Sequence, residues 1–456
     1  MENKDVIIIG GGISGLTALH YIKKDKPQLS VALYEADKRL GGTIGTDKVN
    51  GYSFDWGPNG FLDREPQTLK LCDEIGLTDS LERANENAEN RYILRKGQLR
   101  TVPMSPPKFL MSDILPFFGK MRVMFEPFAL KRPEGIDESI YDFVKRRIGK
   151  SAADYLVQPM VSGVYGGMAQ KMSLKSCFPI MRQMEDEYGG LFKAMIAKAK
   201  AAKKAGKKAG GPSGPGGWLT SFEGGLYKII EQFHSLYQND IYSSHAVKAI
   251  TKIDNGFEIS FENSQTVIAK NVVVATPANN AADITKTLSQ KLSDVLARIK
   301  YAPISVVCSG YDRSQVTNPL DGFGFLVPAK EKRHILGSIW TSSIFKNRAP
   351  EGKIQFRSMI GGDGNHESMN LSDGQLLEQV NEDLSRLLGI KGDPEQVEIY
   401  RWQHGIPQYH IGHSERLSQI EGELNRIGGI YLTGNAYYGI GLNDCVKQSY
   451  KVAQSL

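Results

Sequence analysis

Three glycines near the start of the chain are spaced to hold a dinucleotide. Gly10, Gly12 and Gly15 give the pattern G-x-G-x-x-G inside VIIIGGGISGL at residues 6–16, and Glu35 follows twenty residues after Gly15. In this pattern Gly10 permits a tight turn, Gly12 lets the backbone approach a pyrophosphate, and Gly15 lets a helix pack closely on a strand. The helix amino terminus then faces the phosphates, and the Glu35 carboxylate accepts the ribose hydroxyls. NAD and FAD sites share this much. A second glycine-rich segment, TGNAYYGIGLNDC, occupies residues 433–445. The candidate site segments contain no Ser/His/Asp order and no paired carboxylates that would demand acid–base or nucleophilic catalysis. His404, His410 and His413 lie close together, but their spacing fits no common zinc or iron pattern, so they are expected to be structural and no metal is expected.

The elements that must position these residues are readable nearby. The apolar run at residues 6–9 breaks at the glycines and resumes with helical spacing through Leu16, Leu19 and Ile22, which reads as strand, turn and helix. The strand-like VALYEA delivers Glu35. With 456 residues, 41% hydrophobic and 23% charged, the chain is long enough for about three domains and an ample core. Cys72, Cys177, Cys308 and Cys445 form no C-x-x-C pair, which suits a reducing cytoplasm. Residues 6–22 lack Asp, Glu, Lys and Arg, yet Glu2 and Asp5 spoil a basic leader and the glycines interrupt the apolar run. Neither a signal peptide nor a membrane span is expected.

The net charge of +6 is modest but unevenly spread. No acidic residue occurs between Glu187 and Glu223, whereas Lys193, Lys198, Lys200, Lys203, Lys204, Lys207 and Lys208 accumulate before GGPSGPGG. The pattern reads as an exposed helix followed by a mobile linker. No aromatic residues interleave with these lysines, so nucleic-acid binding is not expected. Residues 103–130 hold four Met and five Phe among only five charges. Such a stretch suits a helical core or, beside a basic helix, partial insertion into an anionic bilayer.

Arg39, Gly41 and Gly42 extend the first pattern to E-A-x-x-R-x-G-G, and Asp55, Gly57 and Pro58 follow. This extension resembles the glutathione-reductase-like flavoproteins of the amine oxidase and porphyrinogen oxidase type. The resemblance implies noncovalent FAD, with the glycine pair under the flavin, Arg39 at a phosphate and the stretch at 55–58 beside the isoalloxazine. The implied cofactor set is Gly10, Gly12, Ile13, Ser14, Gly15, Glu35, Ala36, Arg39, Gly41, Gly42, Thr43, Gly57, Pro58, Asn59, Val247, Trp402, Gly434, Asn435, Ile440, Gly441, Leu442 and Asn443. Val247, in the strand-like AVKAI, is expected to touch adenine through its backbone.

Further motifs sharpen the resemblance. NRYILRKGQLRTVP at 90–103, SGVYGG at 162–167, DGFGFLVP at 321–328, RSMIGG at 357–362 and RWQHGIPQYHIGH at 401–413 are similar, in kind and order, to the protoporphyrinogen oxidase family. The implied fold is α/β and α+β: a glutathione-reductase-like FAD-binding Rossmann domain, an interleaved mixed-sheet substrate domain and an inserted helical domain. The expected divisions are 1–60, 221–296 and 426–456 for FAD, 61–102 and 297–425 for substrate, and 103–220 for a helical, membrane-associating insertion with a basic linker.

The implied activity removes six electrons from protoporphyrinogen IX in three flavin cycles, with molecular oxygen as acceptor. Arg91 is expected to pair with a propionate, Leu326 and Met359 to hold pyrrole faces, Phe323 and Gly324 to shape the wall, and Met160 and Gly163 to border the opposite side. The family also implies a cytoplasmic enzyme held peripherally at the membrane. A homodimer and a contact with the next haem-pathway enzyme complete the expected partners. Coproporphyrinogen III is the alternative substrate, and its four propionates would require more cations. The motifs at 90–103 and 321–328 oppose an amine oxidase or carotenoid desaturase. Glu35 and the carboxy-terminal motif oppose a flavin-less GDP dissociation inhibitor type.

Overall fold

The computed structural model describes residues 2–103, 105–132, 135–204 and 217–456, the fold being mixed α/β. Lys207, Lys208 and nearly all of GGPSGPGG lie outside the described residues, and only the backbone of Lys203 and Lys204 is described.

Two sheets organise the site. The first has the order Ile241–Tyr242, Val31–Tyr34, Glu2–Ile9, Thr266–Val274, Gly256–Phe261, Val247–Ile253. Glu2–Ile9 is parallel to both of its neighbours. Thr266–Val274 divides its length, pairing antiparallel with Gly256–Phe261 through its first half and parallel with Ile430–Leu432 through its second. Strands buried on both faces read as continuous apolar runs, and alternation sends Val6 and Ile8 into one core and Ile7 and Ile9 into another. On the first side, Leu16, Leu19 and Ile22 of the helix Ile13–Asp25 pack with Leu442, Val446 and Ala453 of the helix Leu442–Ser455. The two glycine-rich segments are thereby brought side by side from opposite ends of the chain.

The second sheet has the order Gln396–Pro407, Tyr301–Asp312, Lys353–Gly361, Gly337–Ile339, Gly322–Leu326, Asn90–Arg95, Gln98–Thr101. Every pairing is antiparallel except that between Gly322–Leu326 and Asn90–Arg95. One face is closed by the helix Asp373–Leu388. Its start is fixed by a capping box in which Ser372 Oγ accepts the Gln375 N–H at 3.3 Å and Gln375 Oε1 accepts the Ser372 N–H at 2.9 Å. Gly389, at φ +66, ends it in the left-handed conformation. Leu376, Val380, Leu384 and Leu388, one turn apart, pack on Val307, Phe325, Trp340 and Phe356. Full burial of each aliphatic side chain contributes about 1.5–3 kcal/mol.

Residues 106–204 are largely helical. The helices Pro106–Met111 and Phe117–Met124 leave large apolar side chains in solvent: Met111 is 88% exposed, Phe118 84% and Leu130 just beyond them 83%. Among the described residues no helix is long and apolar enough to cross a membrane. The strand Leu219–Phe222 pairs with Phe61–Leu62 and Leu81–Arg83.

Candidate functional site

The glycine positions have distinct steric requirements. A Cβ on Gly10, at φ +109, would stand 2.9 Å from the Ala275 carbonyl oxygen, and one on Gly15 would stand 1.9 Å from that of Gly10. Gly12 is different: a Cβ there would meet nothing within 4 Å. Space therefore opens where a pyrophosphate would lie, and Gly12 caps the helix Ile13–Asp25 with no side chain bonded to its first amides. Gly41 N–H donates to the Gly11 carbonyl at 2.8 Å, and Gly12 and Gly41 form a parallel bridge. Glu35 Oε2 accepts the Gly11 N–H at 2.6 Å and Oε1 accepts the Asp37 N–H at 2.9 Å. The carboxylate is thus held in place with acceptor capacity left for a diol. Ala36 is exposed beside it, and Ser14 is buried.

Arg39 acts on its own loop. Its guanidinium donates to the carbonyls of Leu40 (2.8 Å), Ile44 (2.7 Å) and Gly42 (2.5 Å) and lies 4.2 Å over the Trp56 ring. It secures the turn at Gly41 and Gly42, whose φ values are +108 and +56. Thr43 is packed against Gly57, where a Cβ would fall 2.2 Å from the Thr43 carbonyl oxygen. Asn59 Nδ2 and Asn443 Oδ1 are buried without partners in the protein, the condition expected of groups that a cofactor satisfies. Val247 begins a strand reached from residue 35, with Glu35 N–H donating to the Tyr242 carbonyl and His245 N–H to that of Glu35.

The carboxy-terminal segment is organised by a residue that sequence reasoning missed. Tyr409 Oη donates to the Asn435 carbonyl at 2.5 Å and accepts the Gly439 N–H at 2.9 Å, spanning most of the loop from Gly434 to Gly441. His413 stacks face to face on Tyr409 with ring centroids 4.1 Å apart, and its Nε2–H donates to the Tyr437 carbonyl at 3.0 Å. Burial drives the His413 pKa down to about 4. Gly441 then caps the helix Leu442–Ser455, and Asp444 Oδ2 accepts the Gly441 N–H at 3.2 Å. Burial raises the Asp444 pKa. Ile440, Met160 and Leu326 all pack against one buried cluster that includes Ile93, Val161 and Tyr409, joining this loop to the second sheet. His410 stands 3.6 Å from Asp363, and His404 lies edge-on to Tyr301 at 5.8 Å.

On the open face of the second sheet the register aligns residues expected to line a substrate in two adjacent rows. The first runs Arg91, Gly324, Ile339, Arg357 across four strands, and the second runs Ile93, Leu326, Gly337, Met359. Arg91 and Arg357 are therefore separated by about three strand spacings, roughly 14 Å. The Arg91 guanidinium lies 5.3 Å over the Phe323 ring, and burial lowers its pKa. Gly324 and Gly337 keep the rows low, since a Cβ at either would strike a backbone oxygen, at 2.2 and 2.4 Å. A register shift between Gly322 and Gly324 diverts Phe323 toward Ala88, Ile344 and Phe345. Opposite, the helix Gln158–Tyr165 brings Gly163 so near that a Cβ would lie 2.5 Å from Leu326 Cδ2.

The two halves meet at the stretch following the strand Tyr52–Asp55. Asp55 is fully buried, its Oδ1 accepting from Thr46 Oγ1 (2.6 Å) and the Leu226 N–H (3.1 Å), with Arg348 Nη1 3.5 Å from Oδ2. Burial raises its pKa against the pull of Arg348. Trp402 sits here, its indole Nε1–H donating to the Trp56 carbonyl at 3.2 Å. Arg357 was legible only through alternation, standing two residues before Met359 on the same face.

A dinucleotide cradle, a second glycine-capped helix and an open sheet face describe a flavin-type oxidoreductase, and comparison with known proteins agrees. The family model for flavin containing amine oxidoreductase matches residues 13–456. The chain belongs to that family, in the group that holds protoporphyrinogen and coproporphyrinogen III oxidases. It is 33% identical to the chloroplastic protoporphyrinogen oxidase of Nicotiana tabacum, over 99% of this chain and 85% of that protein. It is 29% identical to the coproporphyrinogen III oxidase of Bacillus subtilis, over 98% of this chain and 96% of that protein. The crystal structure of a provisionally named protoporphyrinogen oxidase from Exiguobacterium sp. 255-15 superposes with a TM-score of 0.85 at 26% identity, covering 100% of this chain and 98% of the other. Family membership implies a flavin, and the open space at Gly12 with the unpartnered Asn59 and Asn443 groups fits one.

Proposed function

We propose that this protein is an FAD-dependent oxidase that converts protoporphyrinogen IX to protoporphyrin IX in three two-electron cycles, passing the electrons to molecular oxygen. The observation that carries the reading is the pair of rows on the open sheet face, with Arg91 at the far edge and Leu326, Met359 and two glycines forming an apolar floor. In this reading the first sheet and its two glycine-capped helices form a glutathione-reductase-like domain that holds FAD noncovalently. Bound FAD supplies the two-electron acceptor. The protein supplies placement: Arg91 grips a propionate through its planar guanidinium, Leu326 and Met359 hold pyrrole faces, and Gly163 allows the facing helix to approach. The pyrrole nitrogens stabilise the cation that develops at a methylene bridge, so no protein base is needed, and orienting the bridge carbon is the main contribution of the chain.

The exposed apolar helices at 106–130 support peripheral attachment to an anionic, cytoplasm-facing membrane, from which a poorly soluble tetrapyrrole would be collected.

A second reading, oxidation of coproporphyrinogen III, is favoured by one feature of the same face. Strand alternation puts Arg95 on the Arg91 side, its guanidinium 3.8 Å over Tyr155 and beside Lys330, so further cations are at hand for further carboxylates. Aerobic turnover of the two porphyrinogens side by side, followed by porphyrin fluorescence, decides between them. A higher kcat/KM for protoporphyrinogen is expected, and a clear preference for the tetracarboxylate overturns the first reading in favour of the second.

A further inference from the structure

The hairpin ladder ends at the Thr46–Asp55 pair and the Trp56 N–H bond to Gly45, and the buried carbonyls that follow need donors from elsewhere. Three consecutive ones find them in side chains of the second sheet. Arg357 Nε–H donates to the Asp55 carbonyl at 3.3 Å and its Nη2–H donates to the Gly57 carbonyl, while Trp402 Nε1–H takes the Trp56 carbonyl between them at 3.2 Å. From the other side, Thr43 blocks Gly57 from retreating. A charged, buried guanidinium spent on two neutral carbonyls is costly to bury and strong when bonded. Its five donors in a rigid fork suit two acceptors two residues apart, which an ammonium cannot match.

We propose that Arg357, with Trp402 as a second grip, is a positioning residue that fixes the flavin-facing stretch Asp55–Pro58 to the substrate floor. Met359 lies two residues further along the same face of the same strand. The wall that receives substrate and the stretch that borders the flavin are thereby one rigid unit, and the distance between reacting partners is set by a side chain that touches neither. The inference rests on the reading that this stretch lines the flavin.

The test uses the purified holoenzyme and needs no porphyrinogen. Arg357→Lys keeps the charge but loses the fork. It is expected to raise the FAD Kd at least tenfold and to change the visible circular dichroism of the remaining bound flavin. Trp402→Phe, which removes the middle donor alone, is expected to raise the Kd about threefold. Arg147→Lys is the control for burying an imperfect cation, since Arg147 is also buried but pairs with Glu126 and Glu185 in the helical insertion. It is expected to lower Tm while leaving the FAD Kd and dichroism at parental values. Parental flavin properties in Arg357→Lys, or an equal change in Arg147→Lys, overturn the proposal. If Arg357→Lys does not fold, Trp402→Phe decides, and unchanged flavin binding and dichroism there overturn it. A parent protein that retains no flavin overturns the cofactor reading instead, and absent porphyrinogen turnover by a flavin-loaded parent overturns only the substrate.

Discussion

The two faces of the second sheet are built from the same strands and do opposite work. On one, Phe325, Trp340 and Phe356 meet a ladder of leucine and valine from the helix Asp373–Leu388, and the buried Asp383 of that helix is held by the His334 and Ile335 N–H groups. On the other, alternate residues of those same strands are Arg91, Gly324, Gly337, Arg357 and Met359, a surface with two guanidinium groups and two missing side chains. Period-two alternation separates the two roles residue by residue. The closed face can therefore carry stability while the open face departs from good packing.

The strongest way to break this division is to damage the closed face. Leu384→Ala should cost about 2–5 kcal/mol of stability, because a fully enclosed side chain leaves a cavity that the sheet cannot collapse into. Thermal unfolding should show a marked fall in Tm, whereas kcat/KM per folded molecule at low temperature should match the parent. A comparable loss in kcat/KM would mean that the faces are coupled.

Acidification sharpens the contrast, because it acts on His413, which is buried against Tyr409 beside the loop 434–441. In the unfolded chain His413 binds its proton below about 6.5, but in the folded protein only below about 4. Between those values the unfolded state binds more protons, so stability falls as the pH drops through this window and levels off beneath it. The loss from this group amounts to about 3 kcal/mol. His413→Phe keeps the stacking on Tyr409 and should flatten that limb of a stability–pH profile by up to one proton. An unaltered slope would show that His413 does not titrate as its burial requires.

On the open face, Arg91→Ala should leave Tm nearly unchanged and raise KM more than it lowers kcat. A propionate clamp acts at the substrate periphery, so its loss removes binding in the ground and transition states alike. The loss should be about 1.5–3 kcal/mol, on the order of ten- to hundredfold. Unchanged steady-state constants would take Arg91 out of the site.

How much of this was legible beforehand follows from the range of each signal. The first strand, its glycine turn and the helix through Ile22 are encoded within seventeen residues, and Glu35 lies within one further strand. Arg91, Leu326 and Met359 were reachable through local motifs, but their alignment was not, because it depends on pairings between residues more than 200 positions apart. Arg357 stands in the same motif as Met359, but a single sequence does not say which carbonyls a buried arginine will meet. Tyr409 was hidden for the same reason: its partners Asn435 and Gly439 are distant in sequence, and only the folded loop brings them to its hydroxyl. For Trp402 the sequence offers an aromatic ring near the flavin, whereas the hydrogen bond of its indole N–H to the Trp56 carbonyl becomes visible only in the fold.

The smallest expected effect tests the boundary between the two roles. Gly163 lies in the helix facing the open sheet, where alanine would ordinarily add up to about 1 kcal/mol of helix stability. Its new methyl group, however, would stand 2.5 Å from Leu326 Cδ2. That atom is the end of a flexible side chain, so Leu326 can rotate aside toward the floor between the rows, and the helix gain should roughly offset the cost of displacing it. Gly163→Ala is therefore expected to hold Tm within a few degrees while lowering kcat/KM severalfold, as the displaced leucine takes up space the substrate needs. Leu326→Ala in the same chain should restore part of that loss by removing the obstruction. A large fall in Tm with kcat/KM intact would instead assign Gly163 to packing alone and place the helix Gln158–Tyr165 with the closed face in role.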